Sequence, residues 1–253
     1  MRALIYSDVH ANLEALEAMQ EATAGRYDTS VCLGDIVGYG ANPNDTTAWV
    51  RAHTPVVIRG NHDRACASFD GIEGFNVVAA HAARWTHDQL QPEHIDWLGA
   101  LPAGPLSWED SDLVHGSPID EDEYLIEPVQ AAGAFAAEDV LLCWYGHSHV
   151  QGGFVLADDQ VTALPSTAEE RPAADAGARV QEFELQPGAR YLINPGSIGQ
   201  PRDGDWRAAF AIYDIGARRV ELHRIPYDIR AAQTKIITAG LPLRLAQRLA
   251  AGK

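Results

Sequence analysis

Five short apolar runs, each stopping at a loop that carries aspartate, asparagine or histidine, constrain this chain more than any other feature. Ala3-Leu4-Ile5-Tyr6 leads into Ser7-Asp8-Val9-His10, Val31-Cys32-Leu33 into Gly34-Asp35, and Val56-Val57-Ile58 into Gly60-Asn61-His62-Asp63. Asp112-Leu113-Val114 runs into His115-Gly116, and Leu141-Leu142-Cys143-Trp144 into Gly146-His147-Ser148-His149. Short apolar runs bounded by turn residues read as buried strands, and in open α/β sheets ligands gather at the carboxyl ends of strands. The pattern predicts five strands delivering polar side chains to one rim.

Between these runs the period changes to that of helices. Leu13, Leu16 and Met19, with Ala15, Ala18 and Ala22, trace an apolar helical stripe that Asn12 can cap. Further helices are expected around 44–52 and 76–90, and the alternation argues for an α/β sheet with parallel strands at its centre. The second half reads differently: 154–156, 161–164, 180–185, 191–194, 209–214 and 220–225 look like successive strands, which implies a second, largely antiparallel sheet. The stretch 165–178 has no periodicity and is expected to be a mobile loop without chemistry. Asp228 is placed to cap a helix ending near Gly240, and Pro242 to open a last one through Leu249.

With 253 residues and no dividing linker, one domain over 1–253 is expected. Nineteen basic against 35 acidic residues give a formal charge of −16, which repels long polyanions, so extended DNA or RNA is not an expected partner. Cys32, Cys66 and Cys143 are too few and too scattered for a disulfide framework, in keeping with a reducing cytoplasm. Met1-Arg2 is followed directly by the first apolar run, so neither a signal peptide nor a membrane partner is expected. No pattern speaks to oligomeric state.

Two divalent ions about 3.5 to 4 Å apart can hold a hydroxide between them and clamp the oxygens of an in-line displacement at phosphorus. Such a pair needs a bridging carboxylate, and Asp35, alone in its loop, is the natural one. Asp8, His10 and His149 can complete one ion, and Asn61, His115 and His147 the other. Two cations less two carboxylates and a hydroxide leave a positive site suited to an anionic phosphate. Imidazole, carboxylate and amide without thiolate argue for Mn, Fe, Zn, Co or Ni over an all-oxygen calcium cage or a cysteine-rich zinc site, with Mn as the leading expectation. His62, adjacent to Asn61, is expected to point into the cleft and protonate the leaving oxygen, with Asp63 orienting it.

Taken together these residues resemble the calcineurin-like metallophosphoesterase superfamily. Its Asp-x-His, Gly-Asp, Gly-Asn-His-Asp or Gly-Asn-His-Glu, lone His and Gly-His-x-His, in that order, are matched by Asp8-Val9-His10, Gly34-Asp35, Gly60-Asn61-His62-Asp63, His115 and Gly146-His147-Ser148-His149. Asn194-Pro195-Gly196-Ser197 with Pro201-Arg202, and Ile225-Pro226-Tyr227-Asp228, look like the small prokaryotic phosphodiesterase branch and extend the resemblance over nearly the whole chain. The resemblance implies a metallo-dependent phosphatase-like fold, a four-layer α/β/β/α sandwich of two mixed sheets flanked by helices. It also implies a dinuclear-metal phosphoesterase acting on phosphodiesters, or also phosphomonoesters, of small nucleotide-like substrates. Serine/threonine protein phosphatases carry an acidic residue three after the bridging aspartate and an arginine just beyond, whereas this chain has Gly38 and Tyr39, which disfavours that activity. Ala11 stands where the family usually has glycine. The loop from Gly38 to Asn44 looks like a branch that includes hydrolases of nucleotides and dinucleoside polyphosphates, with Tyr39 expected first as a packing or loop-closing aromatic and second as a base platform, and Arg202 either meeting a phosphate oxygen or forming a surface ion pair.

Each cluster alone is weak, since histidine pairs also cap helices and aspartates populate loops. Their order after predicted strands carries the metal reading. The remaining histidines, His53, His81, His87, His94 and His223, are expected in solvated or core roles, and Asp120-Glu121-Asp122-Glu123 as a solvated face rather than a cation site. Cys66 is expected to be inert packing. The rival readings are a dinucleoside polyphosphate hydrolase, a non-catalytic scaffold, which would ordinarily have lost a ligand or the acid histidine, and a nuclease on polymeric DNA, which the charge disfavours.

Overall fold

The computed structural model describes residues 1–168 and 172–253. Its strands are β1 (Arg2–Tyr6), β2 (Thr29–Cys32), β3 (Val56–Val57), β4 (Leu106–Trp108), β5 (Ser111–Leu113), β6 (Leu142–Trp144), β7 (Gly152–Ala157), β8 (Gln160–Ala163), β9 (Arg179–Glu184), β10 (Arg190–Asn194), β11 (Ala208–Asp214) and β12 (Arg219–Ile225). The helices are α1 (Leu13–Thr23), α2 (Pro43–His53), α3 (Asn61–Ser68), α4 (Val77–Gln89), α5 (Pro92–Gly99), α6 (Pro128–Ala137), α7 (Ile229–Thr238) and α8 (Leu243–Ala251).

Strand residues alternate between two buried faces, which explains the continuous apolar runs. In β1, Ala3 and Ile5 face inward and pack with Val31, Leu142, Trp144, Ile193 and Tyr213 between the sheets. Leu4 and Tyr6 face outward against Leu16 and Met19 of α1 and Leu245 of α8. The second sheet turns Cys143 and Leu192 outward against Ala131, Ala134 and Phe135 of α6. Helices therefore cover two stacked sheets, and the expected four-layer α/β/β/α sandwich is the architecture. Asn12 caps α1 by accepting from the Ala15 N–H, and Asp228 caps α7 by accepting from Ala231. Among the described residues no helix is long and apolar enough to cross a membrane.

The strands of the second half do not build a sheet of their own, contrary to the sequence expectation. They divide between two six-stranded sheets of order β3-β2-β1-β11-β12-β9 and β4-β5-β6-β10-β7-β8. β1, β2 and β3 are parallel and β11 joins β1 antiparallel, while β5, β6 and β10 are parallel and β7 joins β10 antiparallel. The reason is burial: most of β11 is inaccessible to solvent, so it needs a partner on each edge and cover on each face, and only a central position beside β1 supplies both. Periodicity reveals a strand and not its neighbour. The antiparallel pairing expected of these strands is present throughout except where β10 meets β6. Helices α3, α5 and α6 and strand β4 were not foreseen. Residues 169–171 of the expected loop at 165–178 lie outside the described residues, and 165–168 and 172–178 form no strand or helix.

Candidate metal centre

The five ligand loops follow β1 and β2, the short β3, β5 and β6, so three come from one sheet and two from the other. They are laced together through the backbone. Asp8 N–H donates to Gly34 O, His10 N–H to Asp35 O, Gly146 N–H to His115 O, and Gly199 N–H to Asp8 O. These ties hold an unusual geometry: Asp8, His10, Asp35, Tyr39, His147 and His149 all adopt left-handed backbone angles, with φ between 48° and 61°. Such a residue costs on the order of 1–2 kcal/mol outside glycine, and its concentration at one rim marks a place where side-chain aim outweighs backbone comfort.

The side chains converge in two groups. Ligand atoms of Asp8, His10, Asp35 and His149 lie within 4.8 Å of one another, and so do those of Asp35, His115 and His147. Asp35 belongs to both groups, as a bridge requires. Its Oδ2 stands 3.5 Å from His10 Nε2 and 3.4 Å from His115 Nε2, while Asp8 Oδ1 is 3.3 Å from His149 Nε2. Asn61 Oδ1 completes the second group, 3.2 Å from His115 Nε2.

The hydrogen bonds on the far side of each ring select the metal-binding tautomer. His10, His115 and His149 point Nδ1 at the carbonyls of Val37, Leu33 and Gln200, at 3.0, 2.7 and 2.5 Å, so Nδ1 donates and Nε2 is left facing the centre. His147 is reversed: its Nε2 lies 3.1 Å from Asp122 O, which leaves Nδ1 for a cation. His10 Nε2 and His149 Nε2 sit 3.2 Å apart, and Asp8 Oδ2 is buried without a partner. Lone pairs facing each other and an orphaned carboxylate oxygen are costly without a cation between them, so the residues fit a pair of divalent ions.

Titration shifts follow the same logic. Burial, opposed by His115 and reinforced by Asp35, raises the Asp8 carboxyl to about 7. Asp35 is buried too, yet His115, His62 and His10 around it hold its pKa well below the usual carboxylate range. Burial lowers His10 and His149 well below the ordinary imidazole value and takes His147 to about 3 and His62 to about 4. His115 alone rises, to about 10, because Asp35 outweighs its desolvation.

His62 is in neither ligand group. Its N–H donates to Asp35 Oδ1 at 2.8 Å, while its ring lies 4.5 Å from Phe75 and edge-on to His10 at 4.9 Å. Gly38 backs onto the ring, where an added Cβ would fall 2.6 Å from His62 Nδ1. That nitrogen is buried and has no hydrogen-bond partner. The expectation that Asp63 orients His62 is therefore corrected: Asp63 accepts instead from the N–H groups of Ile36, Val37 and Gly60 at 2.8, 3.2 and 3.0 Å. A fully buried carboxylate within reach of three backbone donors bonds to them rather than to a ring behind it, and the result fastens the Asp35 loop to the Asn61 loop.

Of the two readings of Tyr39, the packing aromatic fits the structure and the open base platform does not. Only 6% of it is exposed, and its ring is occupied by His62 at 4.3 Å, His10 at 4.7 Å, and the guanidinium carbons of Arg202 and Arg248 at 5.9 and 5.7 Å. Arg202 is half-buried beside it and donates to Gln200 Oε1. Exposed Tyr124 and half-buried Phe75 line a cavity of about 210 Å3 together with Tyr39, Asn61, His62, Asn76 and His147. Tyr124 lies 4.0 Å from the His147 ring. The acidic run is not simply a solvated face: Glu121 pairs with Arg59 and Arg64, Asp122 pairs with Arg64, and Glu123 accepts from Ser117. Cys66 is buried, and His53 and His81 are surface residues away from the centre.

Sequence reasoning missed Arg248, which comes from α8 with no motif around it. It named the Asn194-Pro195-Gly196-Ser197 segment without a role. Asn194 Nδ2 donates to Gly146 O and Ser148 Oγ, and Ser197 Oγ to Asp8 O, so this segment supports two of the ligand loops.

Comparison with known proteins agrees with this geometry. A family model for the calcineurin-like phosphoesterase superfamily domain matches residues 1–218. An uncharacterized protein of Methanocaldococcus jannaschii is 33% identical over 98% of this chain and 97% of its own length. The crystal structure of a metallophosphoesterase from Sphaerobacter thermophilus is similar at 41% identity, covering 100% of this chain and 99% of that one, with a TM-score of 0.83. A hypothetical protein of Pyrococcus horikoshii shares the fold at 19% identity, covering 100% and 98%, with a TM-score of 0.74. With its buried aspartate and histidine clusters set at the strand ends where the motifs fall, the chain belongs to the calcineurin-like phosphoesterase superfamily and is a hydrolase.

Proposed function

We propose that this hydrolase is a dinuclear-metal phosphoesterase that cleaves phosphodiesters, and also phosphomonoesters, of small nucleotide-like substrates. The observation that carries the reading is Asp35 shared between two ligand groups, with His62 beside them and outside both. When bound, two divalent ions, manganese first among those the ligand set suits, supply Lewis-acid polarisation of the phosphoryl oxygens and water activated at neutral pH. The protein's part is to aim. Asp8, His10 and His149 would hold one ion, Asn61, His115 and His147 the other, and Asp35 both. The carbonyls of Val37, Leu33 and Gln200 keep three imidazoles in the coordinating tautomer.

His62 is assigned as the general acid that protonates the leaving oxygen. Burial favours its neutral form, and an anionic phosphate at the centre favours its protonated form. Phe75 and Tyr124 open into the cavity beside it and offer apolar faces to a nucleoside or aryl leaving group, which supports small aromatic esters over long polyanions. Asp35→Asn keeps the shape and removes the bridging charge; turnover of bis-p-nitrophenyl phosphate with added Mn is expected to fall at least about a hundredfold, and wild-type turnover would refute the bridge. His62→Gln should keep its metal content and slow poor leaving groups more than good ones, and a uniform loss would refute the acid assignment.

A further inference from the structure

We propose that Arg202 and Arg248 form an anion clamp for a second phosphoryl group, so that the preferred substrates carry at least two linked phosphates. The inference rests on the reading of the Asp35 centre as the seat of the scissile phosphate. Both guanidinium groups lie against the Tyr39 ring, at 5.9 and 5.7 Å, and that ring lies 4.3 Å from His62, so the pair stands one aromatic ring away from the reacting position. Arg202 donates to the Gln200 amide oxygen, and Arg248 to the main-chain oxygen of Lys253, the last residue. No carboxylate side chain pairs with either arginine among the described residues, in a chain with a formal charge of −16.

Two more observations fit an anion here. Arg202 Nε is buried without a partner. Burial, and next the charge of Arg202, lower the Arg248 pKa from its ordinary value against an opposing contribution from Tyr39, as happens when like charges are brought together. Two guanidinium forks with spare N–H donors match the oxygens of a phosphate, which accepts in a bidentate fashion. Beyond Arg248 lies a cavity of about 780 Å3 lined also by Arg244, Lys253 and Asn76, and it has no acidic side chain on its wall. Asn76 also lines the cavity at His62, so the two spaces adjoin. A substrate with its scissile phosphate at the Asp35 centre thus has a cationic path for the rest of a phosphate chain, toward α8.

The test compares binding of methylenediphosphonate and methylphosphonate to the manganese-loaded protein by calorimetry, with metal content measured afterwards. Wild type is expected to bind the bisphosphonate at least about tenfold more tightly. Arg248→Gln and Arg202→Gln should each weaken bisphosphonate binding by about 10- to 100-fold, the range for one charge-assisted hydrogen-bonding group, and methylphosphonate binding by clearly less. Arg248→Lys, which keeps the charge and loses the fork, should fall between, and it carries the test if Arg248→Gln does not fold. Equal affinities for the two probes in wild type, or equal losses for both probes in the variants, would overturn the clamp. Bisphosphonate preference without turnover of any ester would sink the hydrolytic reading and leave the clamp standing; ester turnover without the preference would do the reverse.

Discussion

Gly60→Ala is a small substitution with a large expected effect. Gly60 sits directly before Asn61 at φ −101° and ψ 173°, a conformation open to any residue, so backbone strain contributes nothing. The cost is contact. A Cβ at this position would lie 2.1 Å from Asp35 Oδ1 and 2.4 Å from Asp35 N, more than 1 Å inside the optimal separation. The atoms struck belong to a buried carboxylate and its own backbone, so the clash is relieved only by moving Asp35 or the Asn61 loop away from the centre. Overpacking of this kind costs about 1–3 kcal/mol of stability. A displacement near 1 Å at a catalytic constellation costs about a hundredfold in rate, equivalent to about 2.7 kcal/mol of transition-state stabilisation. The assay is kcat/KM for bis-p-nitrophenyl phosphate after manganese reconstitution, alongside bound metal per chain and Tm. Gly133→Ala is the control, because Gly133 lies on the exposed side of α6 with nothing within 4 Å of an added Cβ; it should leave turnover alone and stabilise by about 1 kcal/mol. Wild-type turnover and metal content in Gly60→Ala would refute the claim that the close approach of these two loops sets the position of Asp35.

Asp63→Asn should destabilise the protein by about 2–5 kcal/mol, since an amide in place of one acceptor oxygen faces a backbone N–H and leaves both donors unsatisfied. Denaturant unfolding measures it, and a change below about 1 kcal/mol would show that Asp63 does not fasten the two loops. Addition of manganese to chelator-stripped protein should raise Tm in a concentration-dependent way, by about 2.7 kcal/mol of stability at a hundredfold excess over Kd, because only the folded chain assembles these ligands. A Tm insensitive to manganese, with Asp8→Asn behaving as wild type in the same titration, would contradict the metal centre.

Much of the site was legible because its signals are local. An apolar run followed by a glycine and a ligand-type side chain is a statement about a handful of neighbouring residues, and β1, β2, β5 and β6 each end at or one residue before the end of such a run. The caps at Asn12 and Asp228 were readable for the same reason. What escaped was non-local. Sequence adjacency suggested that Asp63 serves His62, but the helix that begins at Asn61 turns that carboxylate back toward the N–H groups of Ile36, Val37 and Gly60. Tyr39 reads as an aromatic in a glycine loop, and only the packed rings of His10 and His62 show that it is closed to a base.

The sequence by itself determined which side chains are available for coordination, where the strands that bear them stop, and that both faces of those strands are buried, because spacing and hydrophobicity are written along the chain. Tertiary structure alone decided that β11 lies beside β1 and β10 beside β6, that Asp35 stands between two ligand groups, and that Arg248 reaches the same ring as Arg202. Those outcomes depend on which surfaces exclude water together, a property of pairs of segments far apart in sequence that no single segment carries.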